Sequence, residues 1–188
     1  MHLNLSTGYY SAPYSLSPLP ESVHTGLGII AGLATLSTLT TSGLLAFITY
    51  RFITWREQHT EWVGRNPSVV LVYNLLLADL FQASSYLINY HWYHVDGIFA
   101  PSGWCHVQGA FLNFGDVASA GFVMAIALHT LYSVVRGRRL AYAWLCSVIL
   151  AIWILACLLT IIGPLMHGEQ FFTNAGNWVR LAITFLIT

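Results

Sequence analysis

The sequence predicts an all-α membrane protein, a bundle of four transmembrane helices. Only 7% of the 188 residues are charged, lysine is absent, and seven arginines balance seven acidic residues. A soluble domain carries about 25% charged residues. Stretches with almost no charge cover residues 26–50, 68–90, 102–135 and 140–163, and each is longer than the roughly 20 residues that span a bilayer. The composition also excludes a disordered chain, a basic nucleic-acid-binding domain and a disulfide-rich secreted scaffold.

The two terminal segments differ from the helices in composition. Residues 1–25 contain three prolines and predict an unstructured extracellular tail. This tail lacks the basic start and apolar core of a signal peptide, so the first helix is expected to serve as its own targeting signal. Residues 164–188 predict an extracellular loop followed by an aberrant C-terminal end, because the last eight apolar residues are too few to cross a membrane.

The arginines predict the orientation of the helices. Six of the seven fall in the first and third predicted loops, and none falls in the tail or the second loop. These six are Arg51, Arg56, Arg65, Arg136, Arg138 and Arg139. Positive charge stays in the cytoplasm, so the N-terminus is expected outside a plasma-membrane protein. Asn4 in Asn4-Leu5-Ser6 is then a glycosylation candidate on the outer side, whereas Asn66-Pro67-Ser68 contains the forbidden proline.

Two acidic residues lie within predicted helices, Asp79 in the second and Asp116 in the third. An ionisable side chain at the bilayer centre costs about 2.5–3.5 kcal/mol on insertion scales, so both are expected to point into the bundle at similar depth. Together with Asn113 they form a candidate buried polar switch. Two interpretations stay open: the acids share a cation or a proton, or each is separately hydrogen-bonded and stabilises helix packing.

Motifs in three of the predicted helices match one family. They are Asn74-Leu75-Leu76-Leu77-Ala78-Asp79-Leu80 in the second helix, Trp104-Cys105 and His129-Thr130-Leu131-Tyr132 in the third, and Trp153 in the fourth. With these motifs the chain resembles the fungal carbon-source-sensing G-protein-coupled receptors, relatives of the slime-mould cyclic-AMP receptor. The resemblance covers about residues 25–178, the first four helices of a seven-helix receptor fold. It implies extracellular nutrient sensing and signalling through a heterotrimeric G protein to the cyclic-AMP pathway.

The resemblance also implies sites. Gln108, Asn113 and Asp116 are candidates for the cavity of an unknown small extracellular ligand. Candidates for the surface that faces the G protein α subunit are Tyr132, Arg136, Arg138 and Arg139. The alternative interpretation, which we favour slightly for the arginines, is that they only fix topology and touch anionic lipid. In such receptors a cysteine at the place of Cys105 forms a disulfide with the second outer loop, but its partner is absent, because Cys146 and Cys157 lie at the wrong depth in the fourth helix.

The C-terminal end departs from the family pattern. Val179-Arg180 is what a common fungal splice donor encodes when it is translated in frame, so residues 179–188 are expected to be translated intron of a truncated receptor. An unusual gene prediction and a truncated isoform would both give this pattern. If the stop is genuine, the four-span product is expected to form a homodimer, or to pair or interfere with the full-length receptor.

A competing interpretation is a non-signalling four-span membrane protein. It would act as an assembly partner through small-residue helix faces, or as a histidine-ligated redox or metal protein. His91, His94, His106 and His167 gather on the predicted outer side, but their depth does not suit haem ligation. The sequence therefore predicts no metal and no cofactor. It shows no Ser-His-Asp arrangement, phosphate loop or zinc-protease motif, so an enzyme is not expected.

Overall fold

The protein is a bundle of long α-helices, as a computed structural model shows. The structure describes residues 9, 15–58, 66–137 and 142–167. Their helices are α1 (Glu21–Gln58), α2 (Pro67–Leu87), α3 (Asn89–Val95), α4 (Gly103–Arg136) and α5 (Tyr142–His167). Helices α1, α4 and α5 and the α2–α3 pair are each long and apolar enough to cross a membrane. The predicted all-α fold with four membrane-length helices is confirmed.

Helix α2 occupies the centre of the bundle. It packs against α1 on one side and α4 on the other and also touches α5, while α5 packs mainly on α4. The core between α2, α4 and α5 is apolar, and its buried members are Leu71, Ala78, Ala118, Phe122, Leu145 and Ala156. The large apolar side chains on the outside of α1, α4 and α5 remain exposed in the isolated chain. Such continuous apolar surfaces are what a lipid bilayer covers.

The first helix begins earlier than the sequence predicted. We expected an unstructured tail through residue 25, but α1 starts at Glu21, directly after Pro20, and Leu19 is buried against Leu27 and Trp92. An acidic residue in the first turn interacts favourably with the helix dipole, so Glu21 extends the helix although it interrupts the uncharged stretch. Leu16 also forms an isolated β-bridge with Ile98, which attaches the preceding segment to the bundle.

The helix ends follow from local capping. Asn66 caps α2 by accepting a hydrogen bond from the backbone N–H of Ser68, and Pro67 occupies the first turn. Ser102 caps α4 in the same way, and Gly137 ends α4 with a positive φ of 59°. The 34 residues of α4 are about 50 Å long at 1.5 Å per residue, as the predicted third helix requires.

Two glycines of α4 bring neighbouring helices into close contact. A Cβ atom on Gly115 would lie 2.7 Å from the backbone nitrogen of Gln82 in α2. A Cβ atom on Gly121 would lie 2.9 Å from Cγ2 of Ile152 in α5. Small residues of this kind let membrane helices pack backbone to backbone. They fix the register of α4 against both neighbours, and that register decides which polar side chains meet.

The four membrane-length spans alternate in direction, with α2 and α3 counted as one span, so their ends lie at two levels. We use "arginine end" for the end of the bundle formed by Gln58, Pro67, Arg136 and Tyr142. The "opposite end" holds Glu21 and α3.

Candidate functional site: polar contacts between membrane helices

Asp116 of α4 is paired with Gln82 of α2. The Gln82 side-chain nitrogen donates to one Asp116 carboxylate oxygen at 2.5 Å. This contact lies at the close approach that Gly115 permits. The Asp116 side chain is nevertheless exposed at the surface of the four-helix bundle, and its second oxygen has no hydrogen-bond partner among the described residues. The site is thus a half-satisfied carboxylate in the middle of a membrane-length helix.

Asp79 is half-buried and lies one helical turn from Gln82 toward the arginine end of α2. The three-residue separation corresponds to about 4.5 Å along the helix. Within the described residues no hydrogen bond to Asp79 is formed, and the Asp116 oxygen goes to Gln82. A cation or proton shared between the two acids stays a prediction.

Asn113 belongs to a different interface from Asp116. Its side-chain nitrogen lies 3.4 Å from the hydroxyl oxygen of Thr160 in α5, as a donor to it. Asn113 therefore connects α4 to α5, whereas Asp116, three residues further on, connects α4 to α2. Asn113 and Asp116 can therefore line one ligand cavity only if that cavity reaches both the α2 side and the α5 side of α4.

Gln108 joins α4 to α3 near the opposite end of the bundle. It donates to the Asn89 side-chain oxygen at 2.9 Å and accepts from the Trp92 indole nitrogen at 2.7 Å. Asn89 and Trp92 are both 3% exposed, whereas Gln108 is half-buried, so this chain of hydrogen bonds is partly enclosed. Both Gln108 amide atoms are occupied, which favours a structural role in holding α3 against α4.

Trp153 and Asn74, two residues of the sequence motifs, form a contact that the prediction of site residues missed. The Trp153 indole nitrogen donates to the Asn74 side-chain oxygen at 3.0 Å, and the Asn74 nitrogen donates to the Val70 carbonyl at 2.9 Å. The Trp153 ring stacks on Phe114, with ring centres 5.4 Å apart, and its edge meets Phe122. This pair fixes α2 to α5 through the aromatic core. A polar side chain in α2 and a tryptophan in the fourth span were the only sequence signals for it.

At the arginine end, Tyr132 and Arg136 are exposed on α4. Both border a cavity of about 510 Å³ that opens between α4 and α5. Arg138, Arg139 and the glycosylation candidate Asn4 lie outside the described residues. The predicted G-protein surface is thus described at two of its four positions.

His129 lies one turn deeper on the same side of α4. It is only 7% exposed, and its Nε2 atom is buried without a hydrogen-bond partner in the described part of the chain. The hydroxyl oxygen of Ser133, one turn away, is in the same condition. Buried polar atoms are rarely left unpaired, so this pair requires an explanation.

All three cysteines are free thiols. Cys105 is half-buried, and its sulfur lies 3.3 Å from the Phe99 carbonyl oxygen. Cys146 and Cys157 are exposed on α5.

The histidines at the opposite end form ring contacts. His91 stacks on Trp104 with ring centres 4.7 Å apart, and His24 lies against Tyr93 at 4.1 Å. Within residues 9, 15–58, 66–137 and 142–167, no three histidine, cysteine or acidic side chains converge as a metal site requires. The predicted outer histidine His167 has no described side chain.

Comparison of the chain with protein-family models and with curated proteins finds no match.

Proposed function

We propose that the chain provides the first four membrane helices of a fungal G-protein-coupled receptor that senses extracellular nutrients and signals to the cyclic-AMP pathway. The hydrogen bond between Asn74 and Trp153 carries this proposal. The two residues belong to separate motifs of the resemblance and are 79 positions apart in the chain. Their direct contact supports the resemblance, because chance matches to two motifs have no reason to meet in space.

The setting of Asp116 supports a ligand-binding role for the bundle. Lipid tails offer no hydrogen bond to a carboxylate, so an Asp116 oxygen without a partner must face protein, water or a ligand. Gln82 holds the other oxygen and thereby fixes the direction of the carboxylate. Tyr86 follows Gln82 by four residues in α2, so its hydroxyl lies on the same side of that helix. A small polar nutrient is the class of ligand that such a face suits.

The arginine end supports the signalling half of the proposal. Tyr132 and Arg136 are exposed at the end of α4, next to the sequence positions of Arg138 and Arg139. A basic, exposed helix end suits a protein partner such as the G protein α subunit. The proposal places this end in the cytoplasm of a plasma-membrane protein, because basic loops stay on the cytoplasmic side.

Nutrient-dependent cyclic-AMP production tests the proposal. The complete product of the natural transcript is expressed in yeast that lacks its own nutrient receptor, and cyclic AMP is measured after addition of single sugars or amino acids. We expect a rise with at least one nutrient. If the protein reaches the cell surface and no nutrient changes cyclic AMP, the proposal is wrong.

A matched pair of variants tests whether the nutrient response depends on the face of the bundle that carries Asp116. Asp116→Asn removes the charge from the candidate cavity, and we expect the nutrient response to fall at least tenfold in sensitivity, the equivalent of about 1.4 kcal/mol. Asp96→Asn removes a charge from an exposed loop position with a φ of 48°, a conformation that asparagine tolerates. The control is expected to respond normally. Equal loss in both variants would remove Asp116 from the site.

A further inference from the structure

The cavity at the arginine end is a wedge between two helices. Helices α4 and α5 touch where Gly121 meets Ile152, and toward the arginine end about 510 Å³ remains unfilled between them. This volume lies within the range of ordinary ligand sites. The walls are almost entirely apolar, and the bordering residues are Leu71, Ala125, Leu128, His129, Leu131, Tyr132, Val135, Arg136, Trp144, Leu145 and Val148. We refer to this space as the α4–α5 groove.

The polar groups of the groove are arranged in order of depth. Arg136 is the last residue of α4 and stands exposed at the mouth. Tyr132 and His129 follow at spacings of four and three residues, which places all three on one side of the helix. His129 lies about 10 Å below Arg136 along the helix axis. The groove therefore has a cationic mouth, a polar rim and an apolar interior.

We propose that the α4–α5 groove binds a phospholipid with an anionic headgroup. The Arg136 guanidinium pairs with the headgroup phosphate, the Tyr132 hydroxyl lies beside the polar rim, and one acyl chain fills the apolar space between the helices. Charge complementarity selects this occupant, because basic pockets between membrane helices attract anionic headgroups on the cytoplasmic side. Two further arginines, Arg138 and Arg139, follow within three residues and add to this attraction.

Two other observations favour the same occupant. Trp144 on the α5 wall lies in the first turn of that helix and is 68% exposed, and aromatic side chains are enriched at such membrane-facing helix ends. His129, which borders the groove, is more than nine-tenths buried, and its Nε2 atom has no hydrogen-bond partner among the described residues. A ligand with polar ester groups above its acyl chain brings hydrogen-bonding atoms to this part of the groove, whereas a purely apolar helix face would not. The inference shares with the receptor proposal only the cytoplasmic placement of the arginine end, which rests on the distribution of the arginines.

Lipid retention by the purified protein tests the proposal. The protein is reconstituted in nanodiscs of phosphatidylcholine with a minor fraction of phosphatidylserine, and the lipids that remain bound are counted by native mass spectrometry. We expect phosphatidylserine to be retained in preference to phosphatidylcholine. Arg136→Ala is expected to weaken this preference about fivefold, the effect of one arginine near a charged surface, while Arg136→Lys keeps most of it. Equal retention of the two lipids by the unmodified protein would overturn the proposal.

A second pair of variants tests whether an acyl chain occupies the α4–α5 groove, without changing the charge of Arg136. Val148→Phe fills the groove and leaves Arg136 intact, so we expect loss of the lipid preference and of tryptophan quenching by brominated phosphatidylserine. Val123→Phe makes the same change at an exposed site of α4 that does not border the groove, and both signals are expected to persist. If Val148→Phe changes nothing, or if it converts a dimer into a monomer, the groove holds something other than a lipid.

Discussion

The hydrogen bond between Trp153 and Asn74 predicts a measurable coupling between α5 and α2. Trp153→Phe removes the indole N–H and leaves the Asn74 oxygen without its partner at 3.0 Å. Asn74→Leu removes the acceptor and leaves the indole nitrogen unpaired. The double variant removes both groups together, so the three variants form a double-mutant cycle.

The expected magnitudes follow from the surroundings of the pair. An unpaired polar group in an enclosed site costs about 1–3 kcal/mol, so each single substitution is expected to destabilise the bundle by that amount. Trp153→Phe costs more than Asn74→Leu, because the smaller ring also loses contact with Phe114 and Phe122. Hydrogen bonds between membrane helices couple by about 0.6 kcal/mol on average and at most about 1.7 kcal/mol. The interaction energy from the cycle should fall in this range.

Unfolding in mixed micelles, followed by circular dichroism, gives the free energies of unfolding. Trp144→Phe is the matched control, because it makes the same substitution in the same helix at a residue that is 68% exposed. We expect the control to change stability by less than about 0.5 kcal/mol. A coupling energy near zero, or a control as destabilised as Trp153→Phe, would refute the assigned contact between α2 and α5.

Three further predictions concern the helix contacts and one helix end, each measured by the same unfolding assay. Gly115→Leu is expected to cost about 1–3 kcal/mol by overpacking, because a Cβ atom there meets the Gln82 backbone, whereas Gly32→Leu has open space and should be nearly neutral. Gln82→Leu leaves Asp116 unpaired and should cost about 1–3 kcal/mol; an unchanged stability would mean that another group satisfies the carboxylate. Gly137→Ala should cost about 1–2 kcal/mol, because its φ of 59° is left-handed, and a neutral result would show that the end of α4 rearranges.

The membrane-length helices were predictable because charge marks their limits. Stretches that hold at most one Asp and no Glu or Arg extend through the four predicted spans, and proline or glycine lies near their ends. The error at the start of α1 has a physical cause: Glu21 is a charge, but it stabilises a helix in the first turn, so a search for uncharged residues ended too late. The break between α2 and α3 also went unpredicted, since residues 86–90 contain neither proline nor glycine.

The partners of the polar side chains could not be predicted, because they depend on the register between helices. Spacing alone places Asp79, Gln82 and Asn113 on helix faces but says nothing of how far α4 slides along α2. Gly115 sets that register, and it brings Asp116 to Gln82. In α1 the sequence also holds Gly28 and Gly32, whose spacing is typical of closely packed membrane helices.

Those two glycines have different roles in the structure. A Cβ atom on Gly28 would contact the Tyr93 ring at 3.2 Å, whereas one on Gly32 meets nothing within 4 Å. A small residue allows close packing, but only the neighbouring helix decides whether the space is used. The same reasoning applies to the α4–α5 groove, which arises where two helices separate and has no signature in either helix alone.

Nutrient-stimulated nucleotide exchange tests the receptor proposal most directly. The complete protein is reconstituted in nanodiscs with a fungal G protein heterotrimer, and release of GDP from the α subunit is measured with and without the nutrient that raises cyclic AMP in cells. The proposal predicts faster release when the nutrient is present, and loss of that stimulation in Asp116→Asn. The proposal would be contradicted if the rate of GDP release were the same with the nutrient, without the nutrient and in nanodiscs that lack the protein.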